Sequence, residues 1–307
     1  MARVRQDAMC YKWHMNIIYL VFGDELSNHL QANFSILSML TQEKVINSIN
    51  VVTDQPNFYN HLADYIKTFE IDHKTLVEWK GPYDFFWRVK IKAVELLTRT
   101  YKNENLLYLD SDTFLFGNLN QIKDKLNEGF SFMHLSEGKL AQLGSKEEKR
   151  LWRQTCDKSF GPVKITETHC MWNAGVIGIP GSKSAELIKA TLDICDAMLE
   201  QKVTRRLIEQ FSFSLALSEF SNLIPADQQI GHYWGNKRQW NNFITNFFLT
   251  SYLSNTPLHK QIDFMKSVDY TKFPVIVRIA SIRYDLQDLL AKIFPARGKK
   301  YIKPNSE

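Results

Sequence analysis

Leu106-Leu107-Tyr108-Leu109-Asp110-Ser111-Asp112-Thr113-Phe114 is the stretch whose reading decides the fold. Four apolar or aromatic residues in a row, with no charge among them, read as a strand buried on both faces, the habit of a parallel sheet covered by helices. The two aspartates that close the run stand at i and i+2, so in extended backbone both carboxylates project to one side. Ligands of open parallel sheets sit beyond the carboxyl ends of the strands, where this pair falls. Hard divalent cations such as Mg²⁺ or Mn²⁺ take oxygen ligands of this kind and commonly complete their shell with substrate phosphates. An Asp-x-Asp triplet alone is common; the buried strand that feeds it gives it weight.

Working outward, apolar runs of strand length alternate with helix-like stretches. Residues 17–22 read as a strand, residues 27–42 as a helix with Ser27 as N-cap, and residues 49–53 as a second strand. A helix is expected over residues 57–69 and a third strand over residues 75–79. After the turn at Gly81-Pro82, Val89, Ala93, Leu96 and Leu97 mark one buried face of a helix over residues 85–99. Downstream, residues 130–135 read as a strand and residues 146–156 as a charged helix. Residues 172–180 form a strand interrupted at Asn173-Ala174-Gly175, and helices follow over residues 182–201 and 204–220. This alternation places the chain in the α/β class, with a mostly parallel central sheet flanked by helices and a Rossmann-like nucleotide-binding half.

With 307 residues, 44% hydrophobic and 23% charged, the chain can bury one large core, and the composition excludes a disordered protein. A formal charge of +5 and a pI near 8.8 suit phosphorylated cofactors and acidic membrane surfaces. No nucleic-acid partner is expected. Cys10, Cys156, Cys170 and Cys195 have no C-x-x-C or metal-finger spacing, which fits a reducing compartment. The apolar run at residues 17–22 is too short to span a bilayer, and the start lacks a signal-peptide cleavage pattern. The chain therefore reads as cytosolic. Basic residues Lys292, Arg297, Lys299, Lys300 and Lys303, with the aromatic stretch of residues 241–253, suggest peripheral contact with the inner membrane face; core packing is the commoner fate of such a stripe.

A second constellation, His232-Tyr233-Trp234-Gly235-Asn236-Lys237-Arg238-Gln239-Trp240, joins an imidazole to a glycine, two cations and an aromatic. Imidazole is a ligand that Mn²⁺ accepts. Gly235 would let the backbone approach a diphosphate closely, and Lys237 or Arg238 would neutralise its charge. On helix 85–99, Arg88 and Lys92 share one face.

Asp110-Ser111-Asp112, Trp172-Asn173-Ala174-Gly175-Val176, Glu209-Gln210 and the His232 segment occur in the order found in glycosyltransferase family 8, which the chain resembles over about residues 16–240. That resemblance implies a GT-A fold and a metal-dependent transfer of a hexose from a nucleotide-diphosphate sugar, a UDP-sugar by family likeness, with retention of configuration. It implies Asp110, Asp112 and His232 as ligands of Mn²⁺ or Mg²⁺, and Gly235 and Arg238 at the diphosphate, which Lys237 or Arg238 would cap once donor is bound. Asn173 would contact the donor sugar, and Glu209 and Gln210 would lie near the anomeric carbon. Asp24, Thr53 and Asp54 would lie near the nucleoside, Ser111 beside the donor, and Arg88 against the sugar or phosphates. The chain departs from the family motif at Arg238 for Lys, Gln239 for Pro and Glu209 for Asp. Residues 1–260 are expected to form the transferase domain, and residues 261–307 an extension with the basic tail.

Three other chemistries fit parts of the pattern. A haloacid-dehalogenase phosphatase would carry Thr or Val where Phe114 stands. A nucleotidyltransferase would carry a basic glycine-rich loop in place of Gly23-Asp24-Glu25-Leu26. A catalytically silent sugar-nucleotide or glycan-binding protein would keep the same residues without turnover. The acceptor, whether a glycan, a lipid-linked sugar or a protein, is not written in the motifs.

Overall fold

The structure, a computed structural model, describes residues 15–277 and a few positions between 286 and 294. The expectations for Cys10 and for Lys292, Arg297, Lys299, Lys300 and Lys303 fall outside the described residues. Strands are β1 (Met15–Leu20), β2 (Ile46–Thr53), β3 (Ile66–Glu70), β4 (Asn105–Leu109), β5 (Thr113–Leu115), β6 (Phe130–Met133), β7 (Ser136–Lys139), β8 (Ser159–Phe160), β9 (Val163–Lys164), β10 (Cys170–Trp172), β11 (Val176–Ile179), β12 (Asn222–Pro225) and β13 (Ile230–His232). Helices are α1 (Leu26–Leu40), α2 (His73–Lys80), α3 (Arg88–Thr100), α4 (Leu119–Asn127), α5 (Lys146–Thr155), α6 (Ser184–Glu200), α7 (Ile208–Phe220), α8 (Lys237–Leu253) and α9 (Leu258–Ser267).

Seven strands make the central sheet in the order β12-β6-β11-β4-β1-β2-β3. Every neighbouring pair is parallel except those of β11, which runs antiparallel to both β4 and β6. The expected α/β class, a mostly parallel central sheet flanked by helices, is met in this arrangement. The apolar runs are continuous because successive residues serve two cores. Ile18, Leu106 and Tyr108 pack with Ile91, Ile194 and Phe213 from α3, α6 and α7. Ile17, Tyr19, Leu107 and Leu109 pack with Phe34 and Ile36 from α1 on the other face. Each large apolar side chain buried this way contributes about 1.5–3 kcal/mol, so the layer order follows from the pattern.

Three local expectations are corrected. Residues 57–69 form a 3-10 turn, Pro56–Leu62, followed by β3, an outer strand whose Lys67, Thr68 and Glu70 are not buried. Residues 75–79 lie in α2, not in a strand. The Asp72 carboxylate accepts from Thr75 N at 2.7 Å, and Gly81 ends the helix at φ +69°, a conformation that favours glycine. The α1 cap is Glu25, which accepts from Ser27 N, and not Ser27 itself.

The stripe of residues 241–253 divides. Phe243 and Phe247 pack edge-on to the buried Phe34 ring, whereas Tyr252 and Leu253 at the end of α8 are exposed. α9 runs across position 260 and buries Ile262 and Met265 in the α1-side core. No helix among the described residues is long and apolar enough to cross a membrane.

Candidate metal centre and cleft

A cleft of about 930 Å³ opens beyond the carboxyl ends of β1 and β4 and holds Asp110, Ser111, Asp112, Asn173, Glu209, Gln210, His232 and Lys237. Its floor is built by strand pairing. The β4 ladder extends one step past its last residue, with Asp110 N donating to Gly175 O at 2.9 Å. The chain turns through Ser111 and Asp112 into β5, which pairs antiparallel with β13 so that His232 lies opposite Thr113. A histidine 120 positions away in the chain is thereby fixed beside the acidic pair, and Tyr233 N donates to Asp112 O at 3.1 Å. Ligand atoms of Asp110, Asp112 and His232 all lie within 4.8 Å of one another, a set that can hold a metal ion.

The donor chemistry of that set fits a divalent cation. Asn173 Oδ1 accepts from Gly175 N at 3.1 Å and meets His232 Nδ1 at 3.0 Å, so Nδ1 carries the proton and Nε2 presents its lone pair. Nε2 stands 3.2 Å from Asp112 Oδ1, two acceptors that repel unless a proton or a metal ion lies between them. Histidine ligands are commonly oriented in this way through the opposite ring nitrogen. Gly175 is required for the arrangement: a Cβ there would stand 2.2 Å from His232 Cε1. Lys237 Nζ reaches the second oxygen of Asp112 at 2.9 Å. Burial opposes ionisation of Asp112, but His232, when its ring carries a second proton, and Lys237 outweigh it and hold the carboxyl below the usual range. His134 lies edge-on to His232 at 5.3 Å, and burial with the neighbouring ring pushes its pKa down to about 4.

The motifs did not single out Lys90, in the first turn of α3. Its buried ammonium lies 3.1 Å from Asp110 Oδ1 and 3.2 Å from Glu209 Oε1, and it donates to Ala174 O at 3.2 Å. Tyr108 donates its hydroxyl to Asp110 Oδ1 at 2.8 Å, with Lys90 above its ring. Burial alone would lower the Lys90 pKa; Asp110 and Glu209 reverse that and hold it above its ordinary value. Burial raises Glu209, with Lys90 pulling the other way. Glu137, also in the cleft, accepts from Gln210 Nε2 at 2.9 Å and from Asn173 Nδ2 at 3.4 Å; its pKa is raised by burial against those two hydrogen bonds. Sequence signals for both existed only in hindsight: a lysine on the apolar face of α3, and a glutamate four residues after the apolar strand β6.

The cleft does not gather every expected residue. Ser111 lines it and donates to Gln31 Oε1. Arg88 does not: its guanidinium forks onto Asp196 at 2.7 and 2.9 Å and donates to Trp79 O. Asp54 accepts from Gly23 N and closes the turn after β1, while Thr53 is buried and accepts from Gln55 N. Asp24 is exposed on that turn, and the β1 end of the cleft is lined by Val21, Phe22 and Asn28 instead. Gly235 bridges to Ile276, and Arg238 is exposed outside the cleft lining.

No family model and no curated protein matches the chain. Among solved structures, a crystal structure of an active-site mutant of LgtC is similar over 69% of this chain and 72% of that one, with a TM-score of 0.45 and 15% sequence identity.

Proposed function

We propose that the chain is a metal-dependent glycosyltransferase that moves a hexose from a nucleotide-diphosphate sugar, by family resemblance a UDP-sugar, to an acceptor hydroxyl with retention. The observation that carries the reading is the convergence of Asp110, Asp112 and His232 at the floor of a cleft that also holds Asn173, Glu209 and Gln210. In this reading those three ligands hold Mn²⁺ or Mg²⁺. When bound, such an ion stabilises the negative charge that develops on the leaving diphosphate, worth several kcal/mol.

The protein's own groups do the rest. Lys237 is about half exposed at the start of α8, where its ammonium can turn from Asp112 to a donor phosphate. Ser111, Asn28 and Phe22 suit the nucleoside end better than Asp24, Thr53 or Asp54, which the fold uses or leaves outside the cleft. Gln210, Asn173 and the Glu137 that joins them form the sugar side. Glu209, whose Oε1 stands 3.2 Å from the Lys90 ammonium, supplies carboxylate charge beside an oxocarbenium-like centre. The acceptor hydroxyl attacks from the face the diphosphate leaves, and leaving-group oxygen takes the proton.

The test is to incubate the protein with a panel of nucleotide sugars, with Mn²⁺ or with chelator, and to measure free nucleoside diphosphate. Metal-dependent release from one donor is expected, and Asp110→Asn should lower it on the order of a hundred- to a thousandfold while the protein stays folded. Ordinary turnover in that variant rejects the assignment; binding of donor without release would make the chain a silent binder. Arg88→Gln is expected to lower stability by about 1–3 kcal/mol and leave the donor KM within about twofold, because its partners are Asp196 and Trp79. A large rise in KM would return Arg88 to the donor site.

A further inference from the structure

Residues 270–277 follow α9 and lie across the back of the segment that carries His232, Trp234 and Lys237. Three kinds of contact join them. Pro274 O accepts from Asn236 Nδ2 at 2.7 Å and from Trp240 Nε1 at 3.1 Å. Ile276 pairs with Gly235 in an isolated parallel bridge, Val277 N donates to Gly235 O at 3.3 Å, and a Cβ on Gly235 would stand 3.2 Å from the Ile276 side chain. Aromatic rings complete the joint. Tyr270 stacks on Phe114 at 4.4 Å, Phe114 on Trp240 at 4.7 Å and Trp240 on Tyr233 at 4.5 Å, while Phe273 lies against Trp240 and Phe243.

The placement of those rings gives the joint its meaning. Phe114 stands two residues after Asp112, and Tyr233 stands next to His232. The stack therefore ties together the two chain segments that supply metal ligands, and residues 270–277 supply its outer wall. Among the described residues, Asn236 and Gly235, between His232 and Lys237, take backbone partners from this stretch.

We propose that residues 270–277 are a strap that positions the metal-ligand segment, with Phe273 and Ile276 as its positioning residues, so that the working unit extends at least to residue 277. The proposal rests on the reading of Asp110, Asp112 and His232 as a metal centre. A strap of this kind sets how closely His232 Nε2 approaches the two carboxylates. Loosening it should weaken metal binding without removing any ligand.

The experiment uses the full chain carrying Phe273→Ala with Ile276→Ala, and Mn²⁺ binding followed by electron paramagnetic resonance. Wild type should bind Mn²⁺ at one site, and the double variant should bind it about tenfold or more weakly. At saturating Mn²⁺ the variant's kcat should recover to near wild type, since every ligand is still present. Ile66→Ala on the outer strand β3, chosen to match the loss in stability, should leave Mn²⁺ affinity unchanged. Unaltered affinity in the strap variant overturns the proposal, as does an equal loss in Ile66→Ala, which would mark a general loosening of the fold. Absence of Mn²⁺ binding by wild type overturns the metal-centre reading itself. If the double variant does not fold, Asn236→Ala, which removes one donor to Pro274 O from a half-buried position, should weaken Mn²⁺ in the same direction; no change would again reject the strap.

Discussion

Lys90→Met is expected to destabilise the protein by about 3–5 kcal/mol at neutral pH, because it leaves two carboxylates around a buried position with no cation between them. The loss should depend on pH. Glu209 has a folded pKa above its ordinary value, so between the two values the folded state holds the extra proton and stability falls as pH rises. Lys90 pulls that pKa down. Without it the folded value climbs further, the window widens upward, and part of the loss should return as pH is lowered through it. Urea denaturation of wild type and variant at several pH values between 5 and 8 reads this directly. A pH-independent difference would show that Lys90 contributes through packing rather than charge. Turnover should fall as well, since Asp110 and Glu209 would no longer be held in place by a shared cation.

Gly175→Ala is expected to abolish metal binding and with it donor cleavage, although no ligand is changed. The added methyl would occupy space held by the His232 ring, only 2.2 Å from Cε1, and the ring cannot retreat while Nδ1 stays on Asn173. Overpacking of this kind typically costs about 1–3 kcal/mol in stability, which a protein of this size tolerates. The outcome to look for is a folded protein with a weakened Mn²⁺ signal and nucleoside diphosphate release at background. Retained Mn²⁺ affinity would mean that His232 is not a ligand.

These two residues also show how far the sequence could be read. β1, β2 and β4 were legible because burial on both faces writes an unbroken apolar run, and the aspartates after β4 were legible because extended backbone puts i and i+2 on one side. His232 was reachable only through motif order. β3 was not legible as a strand: at the outer side of the sheet most of its residues face water, so the apolar pattern that marks an inner strand is missing. Thr75 and Val77 suggested extended chain in α2, but the Asp72 cap and the Gly81 stop bracket the helix and override propensity. Lys90 was hidden for a different reason. A lysine among Val89, Ile91 and Ala93 declares itself only when its two counter-charges, 20 and 119 positions further on, are brought to it.

The two outer strands of the sheet have a bearing on self-association. β3 ends one side with Lys67 and Glu70 turned to water, and β12 ends the other with Pro225, which has no amide hydrogen to offer a neighbouring molecule. Charge on one flank and a missing donor on the other leave neither as a good template for a foreign strand. Edge-to-edge joining of two copies through these two flanks is thereby disfavoured.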